Sequence, residues 1–263
     1  MRIHSLRINY ASHREKSPSP AVIRSVAEIK SLPSWRHAID PGDIREHFDY
    51  LNKDAIRACL LEEQHGLCAY CMKRISNDGQ VTSIEHWAPL SKNKGTALDY
   101  NNFLAVCKGG SDIPLNPNEK RVLCCDAHKG DGADLSISPF DKSMMDHIAY
   151  DSQGVIKFLP KQDYSTEFAE SVTRDINHTL QLNGIVASHG RFGADTTTRL
   201  RKGRKDAYDA AKAKVTRLRK KGKLSVASMD SEINSLLEMQ ERPEYAGVSI
   251  FVYQAERKRL LSR

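Results

Sequence analysis

Cys68 and Cys71 enclose two residues in Leu67-Cys68-Ala69-Tyr70-Cys71. At that spacing two thiolates converge on one ion while backbone amides hydrogen-bond the sulfurs. Cys107 together with Cys124 or Cys125 would supply the second half of a tetrahedral four-thiolate site. Cys59, on the apolar side of a helical segment, reads as a small buried hydrophobe instead. Zinc suits such a site. A thioredoxin-like dithiol would need its pair at the strand-to-helix turn of a βαβ unit, which the surrounding pattern lacks. Other groups with chemistry to offer lie between and after the cysteines. They are Glu85 and His86 in Ile84-Glu85-His86-Trp87, Asn101 and Asn102 about 15 residues on, and Asp126, His128 and Lys129 directly after Cys125. A histidine of ordinary pKa, about 6.5, can take a proton from water near neutrality, and carboxylates are hard oxygen donors for Mg²⁺ or Mn²⁺.

These groups need elements to position them. Residues 43–66 (DIREHFDYLNKDAIRACLLEEQHG) look helical, with Phe48, Leu51, Ile56, Cys59 and Leu60 at helical spacing and Gly66 as the stop before the first cysteine pair. Glu85 and His86 end a short apolar strand. As neighbours on a regular strand they would face opposite ways, so a bend must begin there for both to serve one site. Further on, Phe168, Val172, Ile176 and Leu180 recur every four residues as a helical stripe, most simply core, and a helix ends before Pro243. The run Tyr245 to Tyr253 is apolar and β-prone, suited to finishing a sheet or docking on a partner. Three regions follow: residues 1–66, helical and extended; residues 67–141, dense in chemistry; and residues 142–263, helical with a basic segment at 199–223.

With 263 residues, 40% apolar and 28% charged, the chain can bury a sizeable core and is not disordered. The polar start (MRIHSLRINYASHREKSPSP) and the lack of a long apolar run imply a soluble, cytoplasmic protein with no membrane partner. From Arg199 to Lys223, twelve Lys and Arg stand against two Asp, a net of +10 within a total of +7, so the rest sums to −3. A near-neutral body with one intensely basic segment points to a polyanion, foremost nucleic acid. Arg201, Lys202, Arg204 and Lys205 are the candidate contacts.

The order and spacing of Glu85-His86, Asn102 and Asp126-Ala127-His128-Lys129-Gly130, framed by cysteines, resemble the HNH nuclease motif over residues 67–130. The resemblance implies an α+β fold, a mainly helical chain around a central zinc-stapled ββα-metal nuclease core. It also implies an endonuclease in which His86 is the general base. Glu85, where relatives usually carry Asp, and Asp126, where many carry Asn or His, would hold one catalytic Mg²⁺ or Mn²⁺. Asn102, or Asn101 one register away, would brace the loop that orients the base, and Lys129 would contact the phosphate or the leaving group. His128 competes with Asp126 as metal ligand. Cys125 is favoured over Cys124 as fourth zinc ligand by its spacing to Asp126. Where relatives commonly have a second Cys-x-x-Cys, 17 residues separate Cys107 from Cys125, a Gly-, Pro- and Asn-containing loop suited to reading substrate.

The Ile-Glu-His-Trp form of the base motif, with Leu98-Asp99-Tyr100-Asn101-Asn102, Leu180-Gln181-Leu182-Asn183 and Pro243-Glu244-Tyr245-Ala246-Gly247, is similar to the PtuB-like HNH nucleases of Septu and retron antiphage systems. That narrower resemblance implies a PtuA-like ATPase partner and, in retron systems, a reverse transcriptase with its msDNA. The alternatives are a non-catalytic zinc-ribbon module that binds nucleic acid, or an HNH-type RNase acting on tRNA, since attack by water needs no 2′-hydroxyl.

Overall fold

The computed structural model describes residues 16–160, 164–187 and 191–262. Most of the reading of the polar start falls on residues 1–15, outside the described residues. Four helices come first: α1 (Pro20–Ser31), α2 (Pro33–His37), α3 (Pro41–Asp49) and α4 (Lys53–Glu63). The first three open on proline, whose fixed φ and missing N–H suit a first turn. The segment that reads as one helix is two. Tyr50 closes α3, Leu51 turns into the core, and the Asn52 side chain accepts from the Ala55 amide to cap α4. Past the end of α4, His65 and Gly66 take positive φ, and the Gly66 amide returns to the Leu61 carbonyl at 2.8 Å.

The chain then forms a turn carrying Cys68 and Cys71, and runs through β1 (Thr82–His86), α5 (Lys94–Ala97), a 3₁₀ turn (Tyr100–Asn102) and β2 (Phe103–Cys107). Strands β1 and β2 pair antiparallel, with Glu85 opposite Leu104 and His86 opposite Phe103. All five residues of β2 are buried, and Ala105 finds partners away from β1. The Gln64 amide meets both backbone groups of Ala105, accepting from its N–H at 2.8 Å and donating to its C=O at 2.7 Å, as a neighbouring strand would. A loop over 108–125 leads into the single turn α6 (Asp126–Lys129), followed by α7 (Lys142–Met145) and a small antiparallel pair, β3 (Ile148–Tyr150) and β4 (Ile156–Phe158). The loop folds back on its own base, where Gly109, at φ +60°, lies against the Cys124 carbonyl and leaves no room for a Cβ.

Helix α8 (Thr166–Arg174) continues into a π-turn at Asp175–Thr179, and α9 (Leu200–Lys220), α10 (Val226–Glu238) and α11 (Ala246–Leu261) complete the chain. The stripe through Val172, Ile176 and Leu180 is core. Its strict four-residue spacing would drift by about 40° per step on a 3.6-residue helix, and the wider π-turn takes up that drift. The run Tyr245–Tyr253, read as β-prone, is the start of α11. Val248, Ile250 and Val252 are buried there, Ile250 and Val252 in a cluster with Ala211 and Val215 of α9 and Met229 and Ile233 of α10. Helical packing on two neighbours has overridden local β-propensity, so the run does not complete a sheet. A larger hydrophobic cluster runs from Val22 through Phe103 to Val248, across residues 66 and 141 alike. The fold is thus α+β, mainly helical with two small antiparallel sheets. Among the described residues no helix is long and apolar enough to cross a membrane.

Arg204 also departs from the sequence reading, because it is wholly buried and unavailable to a polyanion. Its guanidinium donates to the carbonyls of Gly154 (2.6 Å) and Leu182 (2.8 Å) and to Oδ1 of Asn183 (3.0 Å). Arg204→Ala would strand these acceptors, so it is expected to lower unfolding free energy by about 3 kcal/mol or more. The exposed Lys202→Ala should stay within about 0.5 kcal/mol of wild type, with urea denaturation as the measurement.

Candidate active site beside a four-cysteine centre

Three segments converge on the cysteines. In the first, the Cys68 carbonyl accepts from Met72 N–H at 3.0 Å and the Cys68 amide donates to the Lys73 carbonyl at 2.8 Å, closing a tight turn with Met72 at positive φ. The end of β2 brings Cys107, whose amide donates to Cys68 Sγ at 3.3 Å. Cys125 arrives at the entry to α6 with φ +56°, an uncommon conformation for a residue with a side chain. The sulfurs of Cys68, Cys71, Cys107 and Cys125 lie within 4.8 Å of one another, all buried. Cys71 and Cys107 are 3.7 Å apart, near the edge of about 3.8 Å that four thiolates make around a tetrahedral ion with 2.3 Å bonds. This cluster could hold a metal ion such as zinc. Cys124 is not one of the four: its sulfur borders the cluster at Cys107 and Cys125 but also lies 3.4 Å from Thr198 Oγ1 and 3.6 Å from the Gly109 carbonyl, and Cys59 stays on α4 outside the cluster.

Glu85, His86, Asp126 and Lys129 together line a cavity of about 310 Å³, which the chain reaches at Asp126 directly after Cys125. Both Glu85 and His86 are buried, at 7% and 5% exposure, and the strand bends immediately after them at Trp87-Ala88. The Glu85 carboxylate accepts from Tyr70 Oη at 3.1 Å and forms a buried ion pair with Lys129, whose ammonium also donates to the His86 carbonyl at 3.0 Å. Burial pushes the Glu85 carboxyl up to about 8, the neighbouring Asp126 carboxyl adds to this, and Lys129 opposes it. Burial and the Glu85 charge also hold Tyr70 well above its ordinary pKa, so its hydroxyl remains a donor.

Burial lowers His86 to about 4, with the charges of Arg45, Lys53 and Lys129 acting in the same direction, so its imidazole is neutral near pH 7. Nε2 lies 2.9 Å from the Ala97 carbonyl, which can only accept. Nε2 therefore carries the proton and Nδ1 the free lone pair. Phe48 and Phe103 meet the ring edge-on at centroid distances of 4.4 and 5.1 Å and fix its plane. Asn102 ties the loop after His86. Its Oδ1 accepts from the Ala88 amide at 2.8 Å, and its Nδ2 donates to the carbonyls of Ala88 (2.9 Å) and Thr96 (3.3 Å). Asn101 instead contacts Asp99 at the surface.

His128 is exposed, reaches the Thr179 carbonyl with Nδ1 and is not part of the cavity wall, so Asp126 is the residue of the pair beside Glu85. Lys129, expected to contact the phosphate or the leaving group, lines the cavity with its ammonium held by Glu85 and the His86 carbonyl. Two residues absent from the sequence reading belong to this constellation. Tyr70, whose place between two cysteines was the only sequence signal, bonds Glu85, and Arg45 of α3, outside the motif, lines the same cavity. Compared with protein-family models and with curated proteins, the chain gives no match.

The cluster predicts about one zinc per chain. Cys68→Ser and Cys107→Ser should lose the metal and much of the fold, since structural zinc is worth on the order of 10 kcal/mol of folding free energy. Cys124→Ser and Cys59→Ser should retain it, and elemental analysis of the purified variants distinguishes the two classes.

Proposed function

We propose that this chain is an HNH endonuclease that hydrolyses phosphodiester bonds of nucleic acid with a divalent metal ion. The observation that carries the reading is the shared cavity, where a neutral histidine with a free Nδ1 lies beside two carboxyl groups on a strand and a turn braced by four cysteines. The sequence resemblance supports it further, because β1, β2 and α6 follow one another in the order a ββα-metal core requires. A burial-raised Glu85 next to Asp126 is a pair that a hard cation would stabilise, and these two residues would hold Mg²⁺ or Mn²⁺.

His86 Nδ1 takes a proton from a water molecule. The water oxygen forms a bond to phosphorus as the bond to the 3′ oxygen breaks, and that oxygen leaves to be protonated from solvent. Held by Glu85 and Asp126, a divalent ion would supply positive charge against the charge that builds on the phosphoryl and leaving oxygens. The Ala97 carbonyl stabilises the imidazolium that forms, while Asn102 holds the loop that keeps His86 in register with the carboxyls. The narrower resemblance supports a role in antiphage defence with a PtuA-like ATPase.

His86→Ala should lower cleavage of DNA or RNA by about 100- to 10,000-fold while leaving zinc content and the folded state intact. Retained cleavage would remove the enzyme reading. Because burial raises the Glu85 carboxyl to about 8, protons compete with the cation for it, and the Mg²⁺ needed for half-maximal rate should rise as pH falls below about 8. With His86 neutral down to about pH 4, the rate at saturating Mg²⁺ should stay level from about pH 8 to about pH 6.

The basic segment contributes through a different end from the one its sequence suggests. Arg201, Lys202 and Lys205 pair with Asp195, Asp206 and Asp209, and Arg204 is internal. Arg217, Lys220, Lys221 and Lys223, at the end of α9 and the turn beyond, are exposed and in no ion pair among the described residues. Neutralising these four should weaken nucleic-acid affinity and reduce the slope of log K against log salt by up to about 0.9 for each duplex phosphate that is no longer neutralised. Neutralising Lys202 and Lys205 should leave the slope near wild type in the same titration.

A further inference from the structure

Arg45 lies forty residues before Glu85 in the sequence yet lines the same cavity as Glu85, His86 and Asp126. Its helix is fixed against the site, because Ile44 and Phe48 of α3 are buried and Phe48 packs on His86 at 4.4 Å and on Phe103 at 5.5 Å. Other charged groups on or next to α3 are satisfied locally, Glu46 by Tyr50 Oη at 2.8 Å and Asp49 by Lys53 at 3.1 Å. The Arg45 guanidinium is exposed and has no hydrogen bond or ion pair among the described residues. The other cation of the cavity wall, Lys129, is already engaged by Glu85 and the His86 carbonyl. Arg45 is therefore the cation of the cavity wall left with its guanidinium available to an anionic ligand.

We propose that Arg45 is a phosphate-binding residue of this site, its planar guanidinium taking the two non-bridging oxygens of the phosphodiester that enters the cavity beside His86. The inference rests on the nuclease reading and adds a substrate contact from outside the motif. A guanidinium is suited to this, since its fork matches two phosphate oxygens where an ammonium offers a point charge. The cavity admits the phosphate and Arg45 holds it, so the water activated by His86 meets phosphorus in a fixed orientation. The side chain is exposed, and its removal leaves the core contacts of α3 intact.

The test uses full-length chains. In a His86→Ala background, where cleavage is suppressed, binding of a short DNA duplex and of an RNA oligonucleotide is titrated against salt with and without Arg45→Ala. In the otherwise wild-type protein, kcat and KM are compared for Arg45, Arg45→Ala and Arg45→Lys. The expected result is about tenfold weaker binding with a salt slope reduced by about 0.9 in Arg45→Ala, unchanged zinc content and melting, and recovery of the slope without full kcat/KM in Arg45→Lys. Arg45→Ala with wild-type slope and kinetics, or with a loss of kcat at an unchanged slope, overturns the inference and leaves the nuclease reading standing. A parent protein that neither binds nor cleaves DNA or RNA overturns both.

Discussion

The four cysteines set the constraint from which the site's geometry follows, because each joins the cluster next to a residue that builds the cavity. Tyr70, between Cys68 and Cys71, bonds the Glu85 carboxylate. Cys107 ends the strand whose ladder carries β1, and with it Glu85 and His86. Cys125 directly precedes Asp126, and its strained backbone lets the thiol enter the cluster while α6 sends Lys129 back to Glu85. The segments share little regular structure to hold them: two five-residue strands, a tight turn and a single helical turn. Such short elements cannot fix side chains to within a fraction of an ångström by burial alone, and a metal tying three of them together can.

On that frame the electrostatics of Glu85 and His86 are set in opposite directions by one cause. Burial disfavours charge on both, which raises the carboxyl and lowers the imidazole. Near neutrality the histidine is therefore held as a base, and the carboxyl calls for a cation. Lys129 offsets part of that demand with one charge, and the adjacent Asp126 restores it. On the nuclease reading proposed above, the charge balance of this cavity, which Arg45 also lines, would close when a divalent ion and a phosphate enter together.

The sequence made the chemistry more legible than the packing. Cys68, Cys71, Cys107 and Cys125 could be picked out because ligand spacing is a local property, and the choice of Cys125 over Cys124 followed from its distance to Asp126. Gly66 was readable as a stop because helix ends use positive φ. The break at Leu51-Asn52 was not, since Leu51 keeps the apolar spacing of a helix and only burial from outside it separates α3 from α4. Nor was the helical state of Val248–Val252, where β-branched residues carry a local preference that packing against α9 and α10 reverses. Arg45 left no signal at all: a lone arginine on a polar helix face acquires meaning only when folding brings that face to a histidine far along the chain.

The basic segment shows why a count of charges misleads where their placement does not. Its first half holds the four residues the sequence singles out, yet that is the half the fold uses. Arg204 replaces missing backbone partners around Gly154 and Leu182, and two Asp one turn on neutralise Lys202 and Lys205. In the second half Lys214 and Arg219 are taken by Glu232 of α10 and Glu256 of α11, which fix α9 against its neighbours. Apart from Arg199 at the start of the helix and Lys212 over the Tyr208 ring, what remains, Arg217, Lys220, Lys221 and Lys223, gathers at the free end of the helix, where the carbonyl end of the helix dipole favours cations. The same long helix that presents this remainder of positive charge is tied by Arg204 to the turn after β3, so the charged end is anchored to the core through the helix itself.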